Sequence, residues 1–427
     1  MALVKPELLV PAGDLEKMRY ALAFGADAVY LGMPRFSLRA RENGFRDLKQ
    51  VAEAVAYAHD RGKKVYVTAN IFAHNSKVAA FVQYVGEALA LCRPDAWILA
   101  DPGLIMLMKE HFPAEIIHIS VQSNVINYAA AQFWFAAGAR RIILSREIAI
   151  SEMQAIRAAC PGLELESFVH GAVCIAYSGR CLISNYLAHR DSNQGVCTNS
   201  CRWQYRMLST EPAVDGVPLP GGFYLEESSR KGDLYPIDED EHGTYLMNAK
   251  DLCAIRRLGD LQRAGINSFK VEGRSKTVYY VAMITRVYRR AIDDLSAGRE
   301  FDPGQMHEIQ ATSARGFTEG FLNGDPGPEA IEYANSNSAY TTGRFTGIVR
   351  GYDAARKMIQ VEPRNPILVG RTYELCTPAG NVPLEVKAIF NATGGAVAEV
   401  HGGLFSCNIP CPVDPGEFAL LREILNK

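Results

Sequence analysis

Five of the ten cysteines fall within one stretch of the chain, where they could hold a metal ion or a cluster. They are Cys174, Cys181, Cys197, Cys201 and Cys253. Six residues separate Cys174 from Cys181, whereas the cysteine pairs of structural zinc sites are usually about two to four residues apart. Iron–sulfur clusters accept more varied thiolate spacing. The pattern therefore favours an iron–sulfur site over buried structural cysteines, which are the alternative interpretation.

Charged side chains in or directly after predicted apolar strands form a second group of candidates. Glu166 and His170 belong to the seventh predicted strand and its end, and Glu272 and Arg274 follow the eighth. A charge in such a position is costly unless it is paired or used. We therefore predict that these four residues are catalytic, and that Glu166, His170 or Glu272 moves protons.

Polar side chains near the ends of other strands, or in the long loop described below, are predicted to bind the substrate. They are Arg39, Asn70, Gln122, Arg146 and Arg190. The planar guanidinium group of arginine suits carboxylates and phosphates. Taken singly, arginines such as Arg39 and Arg190 are more often solvated surface residues, and only convergence on one barrel mouth would make them a site. Asp101 and Ser145 are interpreted as helix caps or loop residues.

Eight short apolar segments alternate with helical segments in the first three quarters of the chain. The predicted strands are Glu7–Val10, Ala28–Leu31, Lys64–Ala69, Ala96–Ala100, Ile116–Ser120, Arg141–Leu144, Leu163–Val169 and Ser268–Val271, and the clearest helices are Phe45–Arg61, Val78–Leu91, Val125–Ala137 and Lys276–Ala297. This alternation predicts an α/β fold with a parallel sheet, and eight strands predict a closed (β/α)8 TIM-like barrel. A doubly wound open sheet is the alternative. Pro11-Ala12-Gly13-Asp14 follows the first strand in place of Gly-x-Gly-x-x-Gly, which argues against a dinucleotide site.

The chain is predicted to contain two domains. Residues 1–320 form the barrel, with a long cysteine-rich insertion at about 171–250 after strand 7; long loops at this end of a barrel are typical of functional segments. A helix is expected near Lys250, and its dipole would favour the thiolate of Cys253. The linker Gly320–Asn337 leads to residues 335–427, whose short strand candidates predict a small β-barrel.

Composition limits the classes of partner. The chain has 45 Lys and Arg against 47 Asp and Glu, a net charge of −2, so any binding of nucleic acid must use a local patch rather than bulk positive charge. No stretch is long and apolar enough to span a bilayer. The first residues lack the features of a signal peptide, and we therefore expect a cytoplasmic protein with reduced thiols.

Several segments together resemble the signature of the collagenase-like peptidase U32 family. The segments are ESFVHGAVC at 166–174, YSGRCLIS at 177–184, RDSNQG at 190–195, CRW at 201–203, LLVPAG at 8–13 and VEGRSK at 271–276. The resemblance covers nearly the whole chain. Its length and the segment Met247–Cys253 look most similar to the branch of the family that acts in prephenate-dependent hydroxylation of tRNA uridine.

The resemblance implies a barrel-like catalytic domain and a [4Fe-4S] cluster. Ligands carried over residue by residue are Cys174, Cys181, Cys197 and Cys253, with Cys201 in reserve. The activity implied is oxygen-independent formation of 5-hydroxyuridine at the tRNA wobble position, with prephenate as co-substrate and hydroxyl source. Arg146, Arg190 or Arg274 could then hold this dicarboxylate. Association with a second copy or with a related chain stays open.

Two other functions remain as alternatives. A U32-type peptidase could use Cys174 as a nucleophile beside His170, although the chain has no His-Glu-x-x-His motif, and Ser178 lacks the first glycine of Gly-x-Ser-x-Gly. A non-catalytic, cluster-bearing partner protein is the second alternative.

Overall fold

The structure is a computed structural model that describes residues 4–38, 40, 43–173, 250–312, 316–324, 342–403 and 406–425, together with short pieces between 197 and 244. Its largest element is a closed barrel of eight parallel strands. They are β1 (Glu7–Ala12), β2 (Ala28–Gly32), β3 (Lys64–Thr68), β4 (Ala96–Leu99), β5 (Ile117–Ile119), β6 (Arg141–Ile143), β7 (Glu164–Gly171) and β8 (Ser268–Val271). Each strand pairs with the next, and β8 pairs with both β7 and β1. This closure confirms the predicted barrel and excludes the open sheet.

Helices surround the barrel and begin just after the carboxyl ends of the strands. They are α1 (Leu15–Ala23), α2 (Leu48–His59), α3 (Asn75–Leu91), α4 (Pro102–His111), α5 (Tyr128–Ala136), α6 (Ile150–Ala159), α7 (Leu258–Arg263), α8 (Val278–Ser296) and α9 (Gly304–Gln310). Aspartates cap α1, α2 and α4 by accepting from backbone N–H groups of the first turn. The cap of α4 is Asp101, which confirms that interpretation. Among the described helices, none has the length and apolar character needed to cross a membrane.

The side chains alternate between two apolar layers, as the period of a strand requires. Leu9, Tyr30, Ile98 and Phe168 point into the barrel. Their sequence neighbours, such as Leu8 and Val29, pack against the helices in the main core. The barrel interior is therefore filled by side chains and opens only at its ends.

The chain leaves the barrel after β7 and returns along the same strand. The short strand Asp251–Cys253 runs antiparallel to the end of β7, with Cys253 opposite His170, and Phe317–Thr318 extends the sheet beyond it. The helix expected near Lys250 therefore begins later, with the turn Ile255–Arg257 that leads into α7. β7 is longer than its neighbour β6, so its last backbone groups need a hydrogen-bonding partner, and this segment supplies it.

The C-terminal region is entirely β. Its strands are β9 (Gly343–Asp353), β10 (Met358–Pro363), β11 (Ile367–Leu368), β12 (Thr372–Cys376), β13 (Asn381–Glu385), β14 (Ile389–Phe390), β15 (Ala396–Val397), β16 (Glu399–Val400), β17 (Cys407–Pro410) and β18 (Leu420–Ile424). Eight of them form one antiparallel sheet in the order β13-β12-β18-β9-β10-β17-β14-β15, and β11 pairs with β16.

Buried ion pairs fasten this region to the barrel. Arg286 of α8 donates to the carbonyl oxygen of Thr377 at 2.6 Å and to Glu308 of α9 at 2.9 Å. Arg422 of β18 donates to the same Glu308 at 3.0 Å. Apolar side chains buried at this junction also hold the β region against α8, on the outside of the barrel.

Candidate active site at the barrel mouth

The loop after β8 is the most tightly packed part of the barrel mouth. A Cβ atom on Gly171 would lie 2.5 Å from the carbonyl oxygen of Glu272, and Gly171 has a φ of +109°. A Cβ atom on Gly32 would lie 2.6 Å from Nη1 of Arg274. Only glycine fits at such distances. The carboxyl ends of β2 and β7 therefore press directly on the Glu272–Arg274 segment and restrict its position.

The guanidinium group of Arg274 is held by the ends of two other strands. Nη2 donates to the carbonyl oxygen of Leu38 at 2.5 Å, and Nη1 lies 3.1 Å from Oγ of Ser37 and 3.3 Å from Oγ1 of Thr68. The loop that offers these acceptors contains Phe36 at a φ of +64°, an uncommon conformation for this residue type. A guanidinium fixed in this way is well suited to a carboxylate or a phosphate.

Glu272 lies two residues before Arg274 in the chain, and its carboxylate is oriented by a tyrosine hydroxyl. The hydroxyl of Tyr30 lies 3.1 Å from Oε2 of Glu272 and 3.0 Å from the carbonyl oxygen of Val271. The hydroxyl of Tyr280 donates to the backbone carbonyl of Glu272 at 2.9 Å. The mouth therefore presents one oriented carboxylate and one oriented guanidinium from the same loop.

Glu166 lies below this mouth, inside the barrel, in a network of buried charges. It is completely buried and accepts from Nζ of Lys270 at 2.7 Å and from Nη1 of Arg141 at 3.0 Å. Arg141 also donates to Glu7 at 2.7 Å, and its charge holds the pKa of Glu7 below its usual value against the opposing effect of burial. Ion pairing thus accounts for a carboxylate in an apolar strand, and the catalytic role of Glu166 stays a prediction.

His170 faces α8 rather than the mouth. It is buried, its Nδ1 lies 3.2 Å from the hydroxyl of Tyr288, and its ring contacts Tyr280 and Phe317. Burial lowers its pKa to about 3, so the imidazole is neutral near pH 7. A neutral, enclosed imidazole meets no substrate at the mouth in this arrangement, and the predicted catalytic role has no geometric support.

Three of the predicted substrate-binding residues lie in the described part of the mouth. Asn70 bridges two loops, accepting from the backbone of Leu38 at 3.2 Å and donating to Ser120 at 3.1 Å. Nη1 of Arg146 donates to the carbonyl oxygen of Ala172 at 2.8 Å. Gln122 lies in the turn Val121–Ser123 after β5 and is partly buried. Arg39 and Arg190 lie outside the described residues.

Sequence reasoning missed several residues that build the mouth. They are Tyr30, Ser37, Thr68 and Tyr280. Tyr30 and Thr68 occupy positions of apolar strands that point inward, and a polar group there was a usable signal. Ser145, interpreted as a cap or loop residue, lies in the loop after β6 and donates to the side chain of Asn124 at 2.8 Å.

The structure separates the cysteines into those it describes and those it does not. Cys174 and Cys181 lie outside the described residues, and Cys197 and Cys201 are partly exposed near the turn Ser200–Arg202. In the described part of the chain, no three His, Cys, Asp or Glu side chains converge as metal ligands. The predicted set of four thiolates is therefore not tested.

The environment of Cys253 differs from the one expected. It is 6% exposed, and its Sγ lies 3.9 Å from the hydroxyl of Tyr288. Burial raises the pKa of this thiol and outweighs the opposing effect of the Ile255 N–H group, which begins the helical turn Ile255–Arg257. Cys253 and Cys201 both stay candidates for the fourth ligand.

The signatures of known protein families match both the barrel, including the loop that carries Glu272 and Arg274, and the C-terminal region. The signature of Peptidase family U32 matches residues 13–332, and that of the Peptidase family U32 C-terminal domain matches residues 341–422. The chain belongs to peptidase family U32. The first match spans seven of the eight barrel strands and the loop after β8, and the second spans most of the C-terminal β region. The resemblance stated from the sequence is confirmed.

Among its U32 relatives are proteins named for RNA hydroxylation. The chain is 43% identical to tRNA hydroxylation protein P of Escherichia coli, over 96% of this chain and 94% of that protein. It is 41% identical to the protein of the same name from Haemophilus influenzae, over 99% and 97%. It is also 33% identical to the 23S rRNA 5-hydroxycytidine C2501 synthase of Escherichia coli, over 75% of this chain and 46% of that protein.

Proposed function

We propose that this U32 protein is a tRNA-modifying hydroxylase that forms 5-hydroxyuridine at the wobble position, depends on prephenate and needs no molecular oxygen. The observation that carries the proposal is the oriented pair Glu272 and Arg274 at the barrel mouth. The names of the relatives supply the class of substrate, since two of them span almost the whole chain. A cytoplasmic location is part of the proposal, because tRNA is modified there.

The mouth suits a base that has left its stack. Enzymes that act on a nucleobase take it out of the helix into a pocket, and here the wobble uridine enters the open end of the barrel. The chain is close to neutral, so phosphate contacts must come from local arginine and lysine side chains rather than from the charge of the whole molecule.

Each side chain of the loop after β8 takes one role. Arg274, anchored on Leu38 and Thr68, binds a carboxylate of prephenate, and Arg146 lies at the end of β6 to assist. Glu272, oriented by Tyr30, is the base placed to accept a proton from the substrate at the mouth. The closely packed backbone of the segment keeps the two side chains at a fixed separation.

The iron–sulfur cluster is part of the proposal. Cys174, Cys181, Cys197 and Cys253 would hold it, with Cys201 in reserve for the fourth position. A cluster bound there would supply electron transfer beside the barrel mouth.

The test is hydroxylation by the purified chain. Protein prepared without oxygen and reconstituted with iron and sulfide is incubated with unmodified tRNA and prephenate, and the nucleosides are analysed by mass spectrometry. We expect 5-hydroxyuridine with the wild type, about a 100-fold slower reaction with Glu272→Gln, and wild-type rates with the exposed control Glu399→Gln. Lack of product from folded, iron-containing wild type under these conditions would refute the proposal.

The peptidase alternative gains no support from the described geometry. Its predicted general base, His170, is buried against α8 and neutral. The partner-protein alternative is separated from the enzyme by the same experiment, since turnover by the isolated chain excludes a purely non-catalytic role.

A further inference from the structure

Helix α5 presents large apolar side chains to solvent. Phe133 is 62% exposed, Tyr128 is 54% exposed and Phe135 is 45% exposed, whereas Ala131 and Trp134 are buried against the barrel. At 100° per residue the exposed positions fall on one continuous arc of about 160°. The arc holds Phe135, Tyr128, Gln132, Ala136, Ala129 and Phe133, in that order. Apart from Gln132 and the hydroxyl of Tyr128, the outer face of this helix is thus apolar along its length.

The lack of charged side chains on this helix restricts the class of partner that it can bind. The sequence from Asn127 to Ala139 contains no Asp, Glu, Lys or Arg. Binding of RNA needs positive side chains against the phosphates, and a helix that lies on an anionic membrane carries Lys and Arg on its polar side. The face of α5 has neither feature. An uncharged apolar surface is complementary to another uncharged apolar surface.

The area is suited to a protein interface. Rings of this size expose about 100 Å² each at these fractions, so the three aromatic residues contribute about 300 Å². Ile126, two residues before α5, is also exposed, which brings the apolar area to about 400 Å². A stable interface buries about 800 Å² per partner, including a polar rim. The apolar part of the surface therefore supplies about half of what a dimer requires.

The shape of the face is complementary to itself. Ala129 and Ala136 form a low strip beside the ring of Phe133 on the exposed arc. When two α5 helices pack antiparallel about a two-fold axis, the Phe133 ring of each copy lies over the alanine strip of the other. In an isologous interface the same patch serves both partners. We propose that this face of α5 is the surface through which two copies of this chain form a homodimer.

The test is the mass of the full chain in solution as a function of concentration. Sedimentation velocity from 1 to 100 µM is expected to show the wild type at the mass of two chains of 46.9 kDa each, dissociating only on dilution. Because each substitution occurs twice in a symmetric interface, Phe133→Glu should raise the dissociation constant by at least about 100-fold. Leu91→Glu is the matched control, since Leu91 is an isolated apolar residue of α3 that is 51% exposed, and it should leave the dissociation constant unchanged.

A second variant keeps the proposal testable if Phe133→Glu does not fold. Tyr128 is the first residue of α5, where a glutamate is compatible with the helix dipole, so Tyr128→Glu should also weaken the dimer while the circular dichroism stays that of the wild type. A wild type that is monomeric at 100 µM overturns the proposal, and so does a folded Tyr128→Glu variant that dimerises as tightly as the wild type. The assay is independent of hydroxylation, so its failure would leave the proposed function unaffected.

Discussion

Replacing Lys270 by methionine tests whether the charges inside the barrel act as one network. Lys270 and Glu166 are both buried, and the Nζ–Oε1 distance is 2.7 Å. The ammonium group also lies 4.1 Å from the centre of the Tyr30 ring. Methionine keeps most of the side-chain volume but removes the charge, and Glu166 then depends on Arg141 alone, which already pairs with Glu7.

The size of the effect follows from the partners that remain. Removing one member of a buried ion pair costs about 3–5 kcal/mol of unfolding free energy, because the other charge stays buried without compensation. Arg141 remains 3.0 Å from Glu166, so we expect the lower end, about 3 kcal/mol. At about 2–4 °C per kcal/mol for a domain of this size, the melting temperature should fall by about 6–12 °C.

Thermal unfolding followed by circular dichroism measures this change. The double variant Lys270→Met with Glu166→Gln removes both charges and should recover most of the loss, because replacing a buried pair as a whole is often close to neutral. Lys387→Met is the control, since that lysine is exposed and its pair with Glu385 contributes little. A melting temperature for Lys270→Met within 2 °C of wild type, or a double variant less stable than Lys270→Met, would refute the reasoning.

Three further results are expected. Gly32→Ala should lower kcat/KM for tRNA hydroxylation by about 100-fold, because the new Cβ would lie 2.6 Å from Nη1 of Arg274, whereas Gly351→Ala, with open space around it, should match the wild type in the same assay. Iron analysis after anaerobic reconstitution should give about four irons per chain, lost in Cys253→Ala and kept in Cys201→Ala; the reverse result would contradict the choice of Cys253 as the fourth ligand. His170 has a folded pKa of about 3, below its unfolded value of about 6.5, so its contribution to stability is complete above pH 6.5 and declines as the pH falls towards 3. Between pH 7 and pH 5 the wild type should therefore lose about 2 kcal/mol more unfolding free energy than His170→Gln, as measured by urea titration, and equal losses would exclude this account.

Much of the fold could be predicted because it depends on local periodicity. The eight observed strands begin and end within about two residues of the predicted ones, since a buried parallel strand is a short apolar run and each helix has one apolar face. The placement of Glu272 and Arg274 at the mouth followed from the same reasoning, because chemistry in a barrel sits where strands end. The helix expected near Lys250 begins only at Ile255, because a long-range backbone pairing with β7 holds Asp251–Cys253 as a strand.

The sequence by itself determined which residues are charged, which strands carry them, and the family to which the chain belongs. Only the tertiary structure determined which partners those charged side chains contact. Regular alternation along β7 would place Glu166 and His170 on the same side, but the pairing with β8 shifts by one residue between Lys270 and Val271. This bulge directs His170 outward to Tyr288, while Glu166 stays inside with Lys270. Register depends on contacts between strands about a hundred residues apart in the sequence, and local composition cannot encode it.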